Sequence, residues 1–239
     1  MTELRRALPR MGAIDVWYFD SKTLSAPDVE KLSRTLGPEE RASIDRFRDE
    51  ALRRRHAVAR VMVLSVLGEY LGAPTSAIAF DRSRYGKPFV IAPEAAPTIR
   101  FNVSHSDAMT IIAVANGLEV GIDIERIRRD IPVDTIAPSA FTPKELSALS
   151  RVSPDDRFPA FFACWTRKEA LLKAQGTGLS RSPKEVEVGL GREGESLQTG
   201  GWILTALDVA SDYAAAVALE GAEIAVDLVP WDPPSSPEA

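Results

Sequence analysis

Cysteine occurs once in this chain, at position 164, and histidine only twice. A single cysteine cannot form an internal disulfide and fits a reducing cytoplasm. It stands before Trp165 in an apolar stretch, where core packing explains it better than nucleophilic chemistry. Two histidines are too few for a histidine-rich metal site. No run of about eighteen apolar residues is present, so no membrane span is expected. Met1-Thr2-Glu3-Leu4-Arg5-Arg6 leads into no apolar core of signal-peptide type. There is neither a Walker loop nor a Gly-x-Gly-x-x-Gly fingerprint. The net charge of −5 gives no general push towards nucleic acid. What remains is a chain of 239 residues with 45% hydrophobic content. That is enough for one large domain or two of about 120 residues each.

Hydrophobic spacing gives an alternation of strands and helices. Residues 16–19 read as a first strand. Pro38-Glu39-Glu40 opens a helical pattern that runs to about Tyr70, and Gly72-Ala73-Pro74 stops it. Short strands are expected near Ile78–Phe80, Pro88–Ile91 and Ile99–Phe101. Residues 109–115 and 118–125 read as a hairpin turning at Asn116-Gly117. Thr142-Pro143-Lys144-Glu145 is a capping box that starts a helix. A second major helix is expected over Asp155–Ala174, ended by Gly176-Thr177-Gly178. Residues 184–229 read as β, and 230–239 as a flexible tail.

An internal repeat links the two ends of this pattern. The stretch from Ala113 to Glu125 resembles that from Ala216 to Val229, with one residue added in the turn. Asp123 then corresponds to Asp227, and Glu125 to Val229, so the second copy lacks one carboxylate. Arg55 and Arg60 share the spacing of Lys168 and Lys173. The expected fold is α+β, in two similar α/β halves, 1–118 and 119–229, with a composite site between them.

Gly121-Ile122-Asp123-Ile124-Glu125 and Trp165-Thr166-Arg167-Lys168-Glu169-Ala170-Leu171-Leu172-Lys173 carry the clearest chemistry. On a strand Asp123 and Glu125 share one face while Ile122 and Ile124 share the other. On a helix Glu169 and Lys173 share a face. Carboxylates within such apolar flanks need partners or a metal. Oxygen ligands beside ammonium groups suit a hard divalent cation that also grips phosphate, such as Mg²⁺. Asn102-Val103-Ser104-His105-Ser106 reads as a polar turn able to hold phosphate. A Ser104–His105 hydrolase reading is weak, because adjacent residues seldom orient as nucleophile and base. Tyr85-Gly86-Lys87-Pro88 is a turn whose glycine permits close backbone approach. Among the helical arginines, Arg46, Arg48 and Arg53 read as a solvated face. Arg55 and Arg60 are placed at a phosphate. Nucleic-acid binding is disfavoured by Asp45, Asp49 and Glu50 among these arginines.

Four motifs in order, Tyr85–Pro88, Phe101–Ser106, Gly121–Glu125 and Phe162–Leu179, together resemble the Sfp-type 4′-phosphopantetheinyl transferases. The resemblance implies a pseudo-dimer of two α/β halves with coenzyme A in the cleft. It implies Mg²⁺-dependent transfer of phosphopantetheine to a serine of an apo acyl carrier protein, or of a peptidyl or polyketide carrier domain. Adenosine 3′,5′-bisphosphate is the implied leaving group. Asp123, Glu125 and Glu169 would then form the metal site, with Asp123, Glu169 and Lys173 catalytic and Glu169 the base. Lys173 would meet the pyrophosphate, and Gly86, Lys87 and Pro88 the adenine. Ser104 and His105, helped by Arg55, would lie near the 3′-phosphate, and Arg60 and Lys168 would join the coenzyme A contacts. Glu40 and Ser43 stand where some relatives place lysines for that phosphate. A cytoplasmic monomer is expected, with no nucleic-acid or membrane partner. The competing readings are a non-catalytic coenzyme A-binding protein and a Mg²⁺-dependent nucleotide phosphohydrolase.

Overall fold

The computed structural model describes residues 6–93, 98–177, 181–191, 196–221 and 224–234. The first half comprises β1 (Ala13–Asp20), α1 (Ala26–Arg34), α2 (Pro38–Ile44), α3 (Glu50–Leu71), β2 (Ala79–Arg82), β3 (Pro88–Ala92), β4 (Ile99–Ser106) and β5 (Met109–Asn116). The second comprises β6 (Val120–Arg126), α4 (Val133–Ala140), α5 (Pro143–Leu149), α6 (Arg157–Ala174), β7 (Ser196–Thr199), β8 (Trp202–Leu207), β9 (Tyr213–Glu220) and β10 (Ala225–Pro230).

Two four-stranded sheets stack between two long helices. The first sheet has the order β10-β1-β5-β4 and the second β6-β9-β8-β7; β2 and β3 form a separate ribbon. Alternation along each strand splits its apolar residues between two layers. On one face of the first sheet Trp17, Ile112 and Val114 pack with Met62, Leu67 and Tyr70 of α3. On its other face Ile14, Val16, Ile111 and Ala113 meet Ile122, Ile124, Val217 and Leu219 of the second sheet. Ala216 and Ala218 then turn to α6 and its Phe161, Phe162 and Leu171. Both faces of β5 are therefore covered, which explains its unbroken apolar run. Each fully buried isoleucine or leucine in these layers contributes about 1.5–3 kcal/mol.

Several sequence expectations are corrected. The helix expected from Pro38 to Tyr70 is two helices. Asp49 accepts a hydrogen bond from Leu52 N at 2.8 Å and caps α3 afresh. A short polar side chain there supplies the N-terminus that helix propensity alone would have passed over. The expected hairpin at Asn116-Gly117 does not form. Gly117 donates its N–H to Thr98 O at 2.7 Å, and β6 leaves the first sheet to pair antiparallel with β9, Val120 opposite Leu219. The hairpin lies one strand earlier, between β4 and β5, where Asp107 takes φ 51°. Asn102 to Ser106 is accordingly strand, not turn. Residues 184–191, expected as β, hold a 3-10 turn at Pro183–Glu185 followed by irregular backbone. Gly178 lies outside the described residues.

The repeat has a structural meaning. β5 in the first sheet runs into β6 in the second, and β9 in the second runs into β10 in the first. β10 pairs parallel with β1, Asp227 beside Asp15. The second half thus lends β10 to the sheet of the first. The expected flexible tail is corrected at its start: Trp231 is buried, and its indole donates to Ser65 Oγ at 3.0 Å.

At Gly121 the backbone of α6 lies close against β6. A Cβ there would lie 2.1 Å from Ala170 O and 2.3 Å from Ala174 N. Backbone atoms cannot rotate aside, so Gly121→Ala is expected to lower stability by at least about 1–3 kcal/mol, read as an earlier urea midpoint.

Candidate active site

β6 is the edge of the second sheet, and its outward N–H groups need partners. Side chains from β4 supply them. Asn102 Oδ1 accepts from Ile122 N at 2.9 Å, Ser104 Oγ from Ile124 N at 3.4 Å, and Ser106 Oγ from Arg126 N at 3.0 Å. The serine hydroxyls then donate onward, Ser104 to Asp123 Oδ1 at 2.8 Å and Ser106 to Glu125 Oε2 at 2.7 Å. One polar face of β4 therefore fixes both the strand and its carboxylates. The period-two spacing of Asn102, Ser104 and Ser106 is the signal that could have revealed this. Ser104, expected at a phosphate, instead orders the acidic cluster.

The second support comes from α6. Lys173 Nζ donates to Asp123 Oδ1 at 2.7 Å, Ser104 Oγ at 3.0 Å and Ile122 O at 3.2 Å. Asp123 Oδ2, though buried, has no hydrogen-bond partner among the described residues. Glu125 and Glu169 flank it, each half-buried. Burial pushes the Asp123 carboxyl upward against the opposing pull of Lys173. Burial raises Glu169, and the charges of Asp123 and Glu125 raise it further. Glu125 is raised by burial and by Asp123, against the hydrogen bond from Ser106. Three acids are thus close enough to oppose one another's ionisation, with a single ammonium against Asp123. Among the described residues they do not close into a ready-made metal cluster.

Around the corner of β4 lies a cavity of about 530 Å³, lined by residues of α2, α3, the β2–β3 ribbon and β4, including Arg60, Phe80, Pro88 and Phe101. Gly86 takes φ 87° in the ribbon turn. Lys87 leaves that turn for the other half, donating to Glu119 Oε2 at 2.6 Å and Ala174 O at 3.1 Å. It braces the C-terminus of α6, the helix that carries Lys173. His105 meets His56 edge-on, and His56 stacks on Phe47 at 4.2 Å. Burial and the charge of Lys173 hold His105 below its usual range, although the residue as a whole is exposed. Arg55 is engaged by Asp107, through the carbonyl at 3.1 Å and the carboxylate at 3.5 Å. Arg60 pairs with Glu40 at 2.7 Å.

Lys168 is not brought to the cleft. It lies 1% exposed, 2.7 Å from Glu145, and donates to Pro183 O and Val186 O. Glu145, also 1% exposed, closes the capping box with Thr142 N at 2.8 Å and accepts from Val188 N at 2.8 Å. The assignment of Lys168 to cofactor binding is therefore corrected. Residues 165, 169 and 173 share one helical face, whereas 168 falls on another. Cys164 is fully buried with its thiol pushed far above its usual range, which fits packing alone.

Comparison with known proteins identifies the family. Residues 24–117 match the profile of the 4′-phosphopantetheinyl transferase N-terminal domain, and residues 119–218 that of the 4′-phosphopantetheinyl transferase superfamily. The chain is 34% identical to the 4′-phosphopantetheinyl transferase HetI of Nostoc sp. over 81% of its length and 82% of that protein. It is 31% identical to the 4′-phosphopantetheinyl transferase Sfp of Bacillus subtilis over 74% of its length and 76% of that protein. A Xenopus laevis protein, L-aminoadipate-semialdehyde dehydrogenase-phosphopantetheinyl transferase, is 27% identical over 78% of this chain and 64% of its own. With both of its halves matched by family models and relatives of 30% identity or more over most of its length, this chain belongs to the 4′-phosphopantetheinyl transferase superfamily.

Proposed function

We propose that this protein transfers the 4′-phosphopantetheine arm of coenzyme A to a serine hydroxyl of an apo acyl carrier protein, or of a peptidyl or polyketide carrier domain, with the help of Mg²⁺. The observation that carries the reading is Asp123: one oxygen is held by Lys173 and Ser104, while the other is buried without a hydrogen-bond partner among the described residues, and Asp123 and Glu125 both raise Glu169. An all-oxygen donor set of this kind fits a hard cation. Mg²⁺ keeps several water or phosphate oxygens, so it needs only part of its shell from protein. Asp123, Glu125 and Glu169 would hold it. When bound, it would neutralise charge on the pyrophosphate oxygens.

The chain's own groups do the rest. Lys173, whose side chain is partly exposed, would add a fixed positive charge towards the pyrophosphate. Glu169, raised by burial and by its acidic neighbours, is suited to take the proton from the incoming serine. The serine oxygen forms a bond to the phosphorus that carries pantetheine. The bond from that phosphorus to the nucleotide-side oxygen breaks, and adenosine 3′,5′-bisphosphate leaves. Ser104 and Ser106 keep the carboxylates in register throughout. Gly86, Lys87 and Pro88 would flank the adenine, Lys87 by bracing the ribbon on α6 rather than by charge.

We also place the halves at 1–118 and 119–229, acting as a monomer, since the pairing of β10 with β1 and the packing of the two sheets already join both halves in one chain. The single buried cysteine suits a cytoplasmic setting, and among the described residues no helix is long and apolar enough to cross a membrane. Chromatography of the released nucleotide separates the competing readings. Bisphosphate that appears only with apo carrier supports transfer, whereas release without carrier points to a phosphohydrolase.

A further inference from the structure

The cavity beside α3 is balanced in charge. Its lining contains two carboxylates, Glu39 and Glu40, and two guanidiniums, Arg60 and Arg82. Glu40 Oε1 accepts from Arg60 Nη2 at 2.7 Å, and the Arg60 guanidinium lies 4.6 Å from the centre of the Phe80 ring. Arg82 donates to Gly86 O at 2.9 Å. His56, also in the lining, is held below its usual range by burial, His105 and Arg55, which disfavours its charged form. Arg55 is engaged by Asp107 outside this cavity.

We propose that Glu40 is a specificity-determining residue that competes with the 3′-phosphate of coenzyme A for Arg60, so that this protein accepts 3′-dephospho-coenzyme A nearly as well as coenzyme A. The inference rests on the transferase reading above, with the nucleotide end of the donor in this cavity. A terminal phosphate carries close to two negative charges at neutral pH. To reach Arg60 it must displace a carboxylate already in a charge-assisted pair of similar strength. It then faces Glu40 and Glu39 as like charges. What the phosphate gains from one arginine is largely offset, and the rest of the nucleotide supplies the binding. With the dephospho donor the chemistry is unchanged. The serine oxygen–phosphorus bond forms, the phosphorus–oxygen bond to the nucleotide breaks, and AMP leaves in place of the bisphosphate.

The test compares kcat/KM for coenzyme A and 3′-dephospho-coenzyme A with one apo carrier at fixed Mg²⁺. The wild type should favour coenzyme A by less than about tenfold. Glu40→Gln frees Arg60 and should raise that preference by about fivefold or more, and Arg60→Gln added to it should cancel the rise. Thermal unfolding checks that each variant is folded. Should Glu40→Gln not fold, calorimetric titration of the wild type with adenosine 3′,5′-bisphosphate and with AMP decides instead, the extra phosphate adding less than about tenfold in affinity. A wild-type preference above about tenfold, or a smaller rise in folded Glu40→Gln, would overturn the inference. A wild type that modifies carrier with neither donor would overturn the transferase reading, and this inference with it.

Discussion

Asp123→Ala is expected to reduce transfer by roughly 10³-fold or more while the chain stays folded. The reason lies in what each oxygen does. Oδ1 anchors Lys173 and Ser104, and Oδ2 is buried and available to a cation. Alanine removes both functions at once, so the proposed metal would lose a ligand and Lys173 its carboxylate partner. The cost to folding is small by comparison. Burial already disfavours the Asp123 carboxylate. Lys173 is 29% exposed on its side chain and keeps its bonds to Ser104 and Ile122, so its ammonium is not stranded. A change within about 1–2 kcal/mol is expected. Carrier modification rates beside thermal unfolding measure both parts. Retained transfer at saturating Mg²⁺ would remove Asp123 from the metal site.

Lys168→Met has the opposite profile, with a large loss of stability and little effect on coenzyme A. Lys168 and Glu145 are both 1% exposed and lie 2.7 Å apart. Removing one partner of a buried pair costs about 3–5 kcal/mol, because the other charge stays in place. Glu145 would keep the N–H groups of Thr142 and Val188, which hold α5 to the irregular segment beyond α6. For a chain of this size the melting temperature should fall by roughly 6–20 °C. KM for coenzyme A, measured well below that temperature, should stay close to wild type. A normal melting temperature with a raised KM would restore Lys168 to the cofactor site.

The sequence made the acidic cluster legible because its logic is local. Period two on β6 puts Asp123 and Glu125 on one face, and a four-residue step on α6 puts Glu169 beside Lys173. Lys168 was misplaced because one further position on a helix points elsewhere, and only the burial of Glu145 shows where. The repeat was visible in the Ala/Val-rich stretches, yet their topology was not. Asn116-Gly117 is a strong turn signal, but whether β6 pairs with β5 or stacks over it depends on which surfaces Ile111, Ala113, Ile122 and Ile124 bury together. That is a tertiary choice. The split of the long helix at Asp49 was overridden by continuous helix propensity on both sides. The ties of Arg55 to Asp107 and Arg60 to Glu40 join residues far apart in the chain, beyond any local pattern.

The most direct measurement is the intact mass of an apo carrier protein after incubation with this protein, coenzyme A and Mg²⁺. The account predicts a gain of one phosphopantetheine, prevented when EDTA is present from the start. An unchanged carrier mass across acyl, peptidyl and polyketide carriers, with coenzyme A bound all the while, would contradict it and leave a coenzyme A-binding protein in its place.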